Sequence, residues 1–213
     1  MEPAHAGQYF ESHPGAASRP RTVRLTLPDL TVDLLADRGV FSADHLDEGT
    51  RYLLQAGPAV PVGATNLLDL GCGYGPIAVA LARRAPSATV WALDVNARAV
   101  ELTRANAQAL GLENLRALVV PDDPAAGVEG LPDDVRFDAV WSNPPIRVGK
   151  AALHAMLARW LGRLTDRGEA CLVVHKHLGA DSLTTWLGHS GWPTTRVGSR
   201  GGYRILRAGA PAA

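Results

Sequence analysis

Polar and apolar residues alternate from Arg21 to Leu27, with Thr22, Arg24 and Thr26 opposing Val23, Leu25 and Leu27. A period of two is that of a half-buried strand. Pro28-Asp29 then marks a turn and apolar content resumes over 30–35, so the segment predicts a β-hairpin. Gly39-Val40-Phe41-Ser42 is a break, and 47–56 predicts a helix with Leu53 and Leu54 inward, stopped by Gly57-Pro58. From Asn66 the pattern changes. Short apolar runs at 66–70, 88–93, 115–120, 137–141 and 169–175 predict strands. Helical spacing fills the intervals from Pro76, over 96–110, 150–164 and 180–189. The third of these helices carries Leu153, Met156, Leu157, Trp160, Leu161 and Leu164 at three- and four-residue steps. A closing pair of strands is expected at 193–197 and 203–206, joined across 198–202. Such alternation is that of an α/β fold, a mostly parallel sheet covered by helices on both faces. The expected organisation is an extension at 1–57, hairpin plus helix, packing on a core at 58–213, with one structural domain overall.

Composition adds exclusions. With 46% hydrophobic and 20% charged residues the chain is globular rather than disordered. No apolar run reaches the length of a membrane span. Residues 1–20 are polar and rich in Ala, Gly and Pro, with Tyr9 and Phe10 as expected anchors, and lack the apolar core of a secretory signal. Two cysteines, Cys72 and Cys171, make neither a disulfide framework nor a zinc site. The expectation is a cytoplasmic protein with no metal and no membrane partner; nothing sets the oligomeric state, and a monomer is favoured. Net charge is zero, with 21 basic and 21 acidic residues, so there is no whole-molecule footprint for nucleic acid.

The chemistry begins where the first core strand meets its helix, at Asp69-Leu70-Gly71-Cys72-Gly73-Tyr74-Gly75-Pro76. Three alternate glycines allow positive φ and leave no Cβ in the way of a ligand. Pro76 suits the first helical position. A dinucleotide fingerprint would need a third glycine where Pro76 stands. The spacing G-x-G-x-G behind Asp69 suits instead a ligand with no pyrophosphate and a cationic amino-acid end, as S-adenosylmethionine has. The next strand ends in Leu93-Asp94-Val95, with Asp94 nineteen residues beyond Gly75, placed to take two ribose hydroxyls. Asp122 and Asp123 follow the third strand, where a carboxylate would read an adenine amino group, with Asp123 favoured. Asn143-Pro144-Pro145-Ile146 follows the fourth. An Asn amide oxygen and the Pro144 carbonyl can accept both hydrogens of a planar amine. The nitrogen lone pair is then free to turn to a sulfonium methyl, which is catalysis by positioning and by well-placed acceptors.

The glycine turn, Asp94 and Asn143-Pro144-Pro145, in this order and spacing, resemble a class I S-adenosylmethionine-dependent methyltransferase. More narrowly, the chain resembles the methyltransferase small-domain family, which includes the ribosomal small-subunit (16S) RNA guanine-N2 methyltransferases. Gly39-Val40-Phe41-Ser42, Asp47-x-Gly49-Thr50 with Leu53-Leu54, and Gly202-Tyr203-Arg204 also look like that family, so the resemblance covers about residues 8–207. It implies a Rossmann-like seven-stranded sheet with an antiparallel last strand. It also implies a segment from Phe41 to Thr50 folded over the methionine end of the cofactor. Two departures stand out. The position of Ile146 is usually aromatic in the family, where the target base stacks, and ribosomal members often carry a further domain in front.

On this reading the cofactor is S-adenosylmethionine. Its expected contacts are Phe41, Thr50, Asp69, Gly71, Cys72, Gly73, Tyr74, Gly75, Asp94, Val95, Asp122, Asp123 and Asn143. Asn143, Pro144, Pro145 and Ile146 make the catalytic turn. Arg147, Lys150, Arg200 and Arg204 are expected on substrate phosphate. Arg19, Arg21 and Arg24 before the core, and Arg196, Arg200, Arg204 and Arg207 after it, would make a phosphate-binding face if the two ends met. The expected partner is ribosomal RNA or the small ribosomal subunit, and the expected reaction is methylation of guanine N2. A protein glutamine, adenine N6 or a small amine is the alternative acceptor. A nicotinamide dehydrogenase is opposed by Pro76, and a binding module without catalysis by the intact Asn-Pro-Pro turn. His175 and His177 are read as structural or solvated.

Overall fold

The structure is a computed structural model that describes residues 18–40, 42, 44–123 and 126–209; Tyr9, Phe10 and Phe41 lie outside the described residues. Strands β1 (Arg21–Leu27) and β2 (Leu30–Ala36) form an antiparallel two-stranded sheet closed by the Leu27–Leu30 pair. Its alternation buries Val23, Leu25 and Leu27 on one face. Helix α1 (Glu48–Ala56) is capped by Asp47, whose carboxylate accepts the Thr50 N–H at 2.8 Å.

Seven further strands make one sheet: β3 (Asn66–Leu70), β4 (Thr89–Asp94), β5 (Leu115–Val119), β6 (Phe137–Ser142), β7 (Leu164–His175), β8 (Thr194–Arg200) and β9 (Tyr203–Gly209). Their order is β5-β4-β3-β6-β7-β9-β8. Pairs through β7 are parallel, and β9 runs antiparallel to both β7 and β8. The helices are α2 (Pro76–Arg84), α3 (Ala97–Ala109), α4 (Lys150–Leu161) and α5 (Ala180–His189). Consecutive residues of β3 divide between two cores. Leu67 joins the hairpin, α1, α2 and α3 on one face, and Leu68 and Leu70 join α4 and α5 on the other. The chain leaves β3 toward β4 and β5, then returns to β6 on the opposite side. The carboxyl ends of β3 and β6 therefore border the crevice where open α/β sheets bind ligands.

Two regions differ most from the sequence pattern. The third core helix ends at Leu161, and Leu164 opens β7 by pairing with Phe137. Leu164 keeps the helical step from Trp160, but the sheet edge offers it a strand partner. The β6–β7 register shifts between Phe137 and Ala139, and β7 carries Gly168 at the shift. A Cβ there would lie 2.7 Å from the Phe137 carbonyl oxygen. The closing strands are longer than the pattern indicated. Their turn shrinks to Gly201-Gly202, both at positive φ, the residues a tight hairpin requires. Among the described residues no helix is long and apolar enough to cross a membrane.

Candidate active site

The glycine turn is held from behind. Gly71 and Cys72 both donate to the Leu93 carbonyl at the end of β4, at 2.8 and 3.0 Å. Thr103 of α3 donates to the Gly73 carbonyl at 2.9 Å. At Gly75, φ is +93° and a Cβ would stand 2.9 Å from Thr103, so this glycine serves helix packing and faces away from the crevice. Gly71 and Gly73 also have positive φ, but a Cβ at either would meet nothing closer than 3.9 Å, from Pro145 or Val40. Those two face open space. That space is a cleft of about 730 Å³, within the range that encloses a drug-sized ligand.

The cleft is lined by Gly71, Cys72, Gly73, Tyr74, Asp94, Val95 and Asp122 after β3, β4 and β5, and by Asn143, Pro144, Pro145 and Ile146 after β6. Asp94 accepts the Gly73 N–H on Oδ2 and the Asn96 N–H on Oδ1, each at 2.9 Å. An ionised carboxylate has about four acceptor positions, so room remains for a hydroxyl donor. Burial pushes the Asp94 carboxyl above its usual range, opposed by the backbone N–H groups of Asn96, Gly73 and Val95. The Tyr74 hydroxyl is buried with no partner among the described residues. A cradle open where two Cβ atoms would stand, a carboxylate with spare lone pairs and an unpaired phenol fit a polar nucleoside-bearing ligand with no pyrophosphate. Burial also raises the Cys72 thiol well above its ordinary value, and Cys72 is a small wall residue rather than a nucleophile.

Other expected contacts sit elsewhere. Asp69 is fully buried and does not line the cleft. Its Oδ2 accepts the Ala78 N–H at 2.9 Å in the first turn of α2, and Oδ1 has no partner among the described residues. Alternation along β3 sends Asp69 to the same face as Leu67, beneath α2, so it braces the helix behind the turn. Asp122, not Asp123, borders the cleft. Ser42, Leu46, Asp47 and Thr50 line the cleft, while Phe41 is not among the described residues. Lys150, Arg200 and Arg204 lie outside the lining, and the side chain of Arg147 lies outside the described residues. Arg204 is paired with Asp181, Arg207 with Glu169, Arg21 with Asp44 and Arg24 with Asp33. The first arginine cluster rides the separate hairpin and the second the far edge of the main sheet.

The Asn-Pro-Pro turn has a support that sequence reasoning missed. Asn143 Nδ2 donates to Asp47 Oδ2 at 2.7 Å and to Thr50 Oγ1 at 3.0 Å. Both amide hydrogens are thereby used, which fixes the amide orientation and leaves Oδ1 as an acceptor. The Pro144 carbonyl accepts the Ile146 N–H at 2.8 Å and keeps a second lone pair. Asp47 carried a legible cap signal in Asp-x-Gly-Thr, but its second partner is 96 residues away. His175 and Tyr203 also line the cleft, so His175 is a cleft residue and not merely a structural or solvated one. No group of acids, cysteines and histidines among the described residues could hold a metal.

Comparison with known proteins gives the family. The model of the methyltransferase small domain matches residues 31–207. YbxB of Bacillus subtilis is 33% identical over 202 residues, covering 94% of this chain and 96% of that protein. The ribosomal RNA small subunit methyltransferase C of Pseudomonas aeruginosa is 35% identical over 188 residues, covering 86% of this chain. The chain spans 53% of that relative's length. Among solved structures, a T. thermophilus 16S rRNA N2 methyltransferase in complex with AdoMet and guanosine is 26% identical. It superposes with a TM-score of 0.69 over 92% of this chain and 51% of its own. With this fold, glycine cradle and Asn-Pro-Pro turn, the chain belongs to the methyltransferase small domain family of S-adenosylmethionine-dependent enzymes.

Proposed function

We propose that the protein methylates an exocyclic amine of a nucleobase, guanine N2 in ribosomal RNA, from S-adenosylmethionine. The observation that carries this reading is the Asn143 amide. Its nitrogen is fully engaged by Asp47 and Thr50 and its oxygen is kept for a donor, beside the Pro144 carbonyl and in the same cleft as the glycine cradle. Two acceptors on a stiff turn match the two hydrogens of a planar amine. S-adenosylmethionine, when bound, supplies an electrophilic methyl on a sulfonium sulfur. Gly71, Gly73 and Tyr74 would hold its amino-acid end, Asp94 its ribose and Asp122 its adenine. Asn143 and Pro144 hold the acceptor nitrogen with its lone pair directed at the methyl. They also stabilise the positive charge that develops on that nitrogen as the new bond forms. We further propose that the segment before residue 58 is part of this catalytic unit, since it supplies Asp47 and Thr50.

Guanine is favoured by the guanosine held in the T. thermophilus relative and by the names of the curated relatives. The placement of the only two lysines of the chain supports a nucleic acid. Lys150 follows the Val148 lip of the cleft and Lys176 follows the cleft residue His175. Both are exposed, as is Arg200 beside Tyr203.

Methyl transfer from labelled S-adenosylmethionine to naked small-subunit RNA, assembled subunits and total protein tests the reading. Label should enter RNA and be recovered as N2-methylguanosine. Label in protein alone would move the acceptor to a glutamine amide. Asn143→Ala should leave cofactor affinity within about twofold and cut turnover about a hundredfold or more, the scale of lost transition-state positioning.

A further inference from the structure

We propose that His175 and Tyr203 form an aromatic wall on which the ring bearing the acceptor amine stacks, in place of the aromatic residue that Ile146 lacks. This rests on the nucleobase reading above. The sheet order decides the side. Going from β3 through β6 and β7 to β9, the cleft edge presents the glycine turn, then Asn143, then His175, then Tyr203. The two rings therefore lie beyond the catalytic turn, on the side away from the cofactor cradle.

Both rings line the cleft and are half-buried, and they meet edge to face with centroids 5.0 Å apart at 83°. Both are seated on glycine. A Cβ at Gly49 would lie 2.7 Å from Tyr203 Cε1, and a Cβ at Gly202 would lie 2.5 Å from His175 Nε2. Each ring is pressed onto bare backbone, which fixes its plane. The Lys176 N–H donates to the Gly202 carbonyl at 2.8 Å and ties the hairpin turn to the end of β7, so the two rings are held together. Ile146, Val148 and Leu178 line the same cleft, and Val148 and Leu178 are exposed large apolar side chains at 37% and 44%. At 83° to each other, the two rings can offer a flat base one face to stack on and one edge to border it. Stacking tolerates any base because every base has a π-face. The wall thus takes the ring, and the choice of amine falls to Asn143 and Pro144.

Titration of 2-aminopurine riboside into protein saturated with S-adenosylhomocysteine tests the wall. This nucleoside carries an exocyclic amine, and its emission falls on stacking. The wild type should quench it. Tyr203→Leu and His175→Leu should weaken the apparent affinity about tenfold or more, while Tyr203→Phe and His175→Phe stay within about threefold. Affinity for S-adenosylhomocysteine should hold in all four. No quenching by the wild type, or equal quenching by the leucine variants, overturns the proposal. If a leucine variant fails to fold, ring-current shifts decide on the wild type alone. The His175 and Tyr203 ring protons should shift on adding guanosine, upfield for the ring that stacks, and their failure to move overturns the wall. Neither readout needs methyl transfer, so absence of label in RNA would remove the guanine reading without deciding this one.

Discussion

Asp69 and Asp94 end neighbouring strands, yet their surroundings give them different work. Asp94 meets solvent across the cleft and accepts two backbone N–H groups. Asp69 is sealed under α2 with one N–H bond and one oxygen unpartnered among the described residues. Burial, with a smaller push from Asp94, raises its pKa to about 8. An unfolded aspartate releases its proton near pH 3.9. Between that value and about 8 the folded chain therefore holds a proton that the unfolded chain has lost, and stability falls as pH rises through this window. Asp69→Asn keeps an acceptor for the Ala78 N–H and is neutral throughout. From about pH 5 to about pH 8 the urea midpoint of the wild type should drop more steeply than that of the variant, which keeps only the contribution of other raised carboxyls such as Asp94. Parallel profiles would show Asp69 ionised across the range. The acid ahead of the glycines was plain in the sequence; its inward direction was not, because that depends on which face of β3 receives α2.

Helix α1 shows how one element serves both fold and site. Its cap oxygen, Asp47 Oδ2, accepts the Thr50 N–H and also the Asn143 amide. Serine caps a helix about as well as aspartate but is one bond too short to reach Asn143. Asp47→Ser should therefore melt within a few degrees of the wild type and bind cofactor normally, yet lose about tenfold or more in kcat, the scale of a hydrogen bond to a charged group. Asp47→Asn, which keeps an oxygen at that reach, should recover most of it. Equal loss of melting temperature and kcat in Asp47→Ser would mean that the residue acts only as a cap. The hairpin, α1, β3 and α5 lie where periodicity and turn residues put them, because those signals are local. The end of α4 is misread, because Leu164 satisfies a helical step and a strand pairing equally well and only the neighbouring Phe137 selects the strand.

Over the whole molecule a net charge of zero hides an uneven distribution. Arg21, Arg24, Arg204 and Arg207 are each tied to an acid, whereas Lys150, Lys176 and Arg200 stand exposed near the cleft residues Val148, His175 and Tyr203 in sequence or register. If RNA docks there, its affinity falls steeply with salt. Lys150→Ala and Lys176→Ala should each reduce the slope of log affinity against log salt by about one. Arg207→Ala should leave the slope unchanged. A flat salt dependence in the wild type would remove phosphate contacts from the account. The sequence by itself determined the α/β class, the ligand turn, the carboxylate after β4 and the Asn-Pro-Pro turn, since each is written in residues a few positions apart and follows from local backbone sterics and periodicity. Only the tertiary structure decided that Asp47 and Thr50 hold Asn143, that Asp69 lies behind the turn, and that His175 faces the cleft beside Tyr203. Those contacts join residues that strand order and register bring together, and in a sheet whose order departs from chain order no local pattern encodes them.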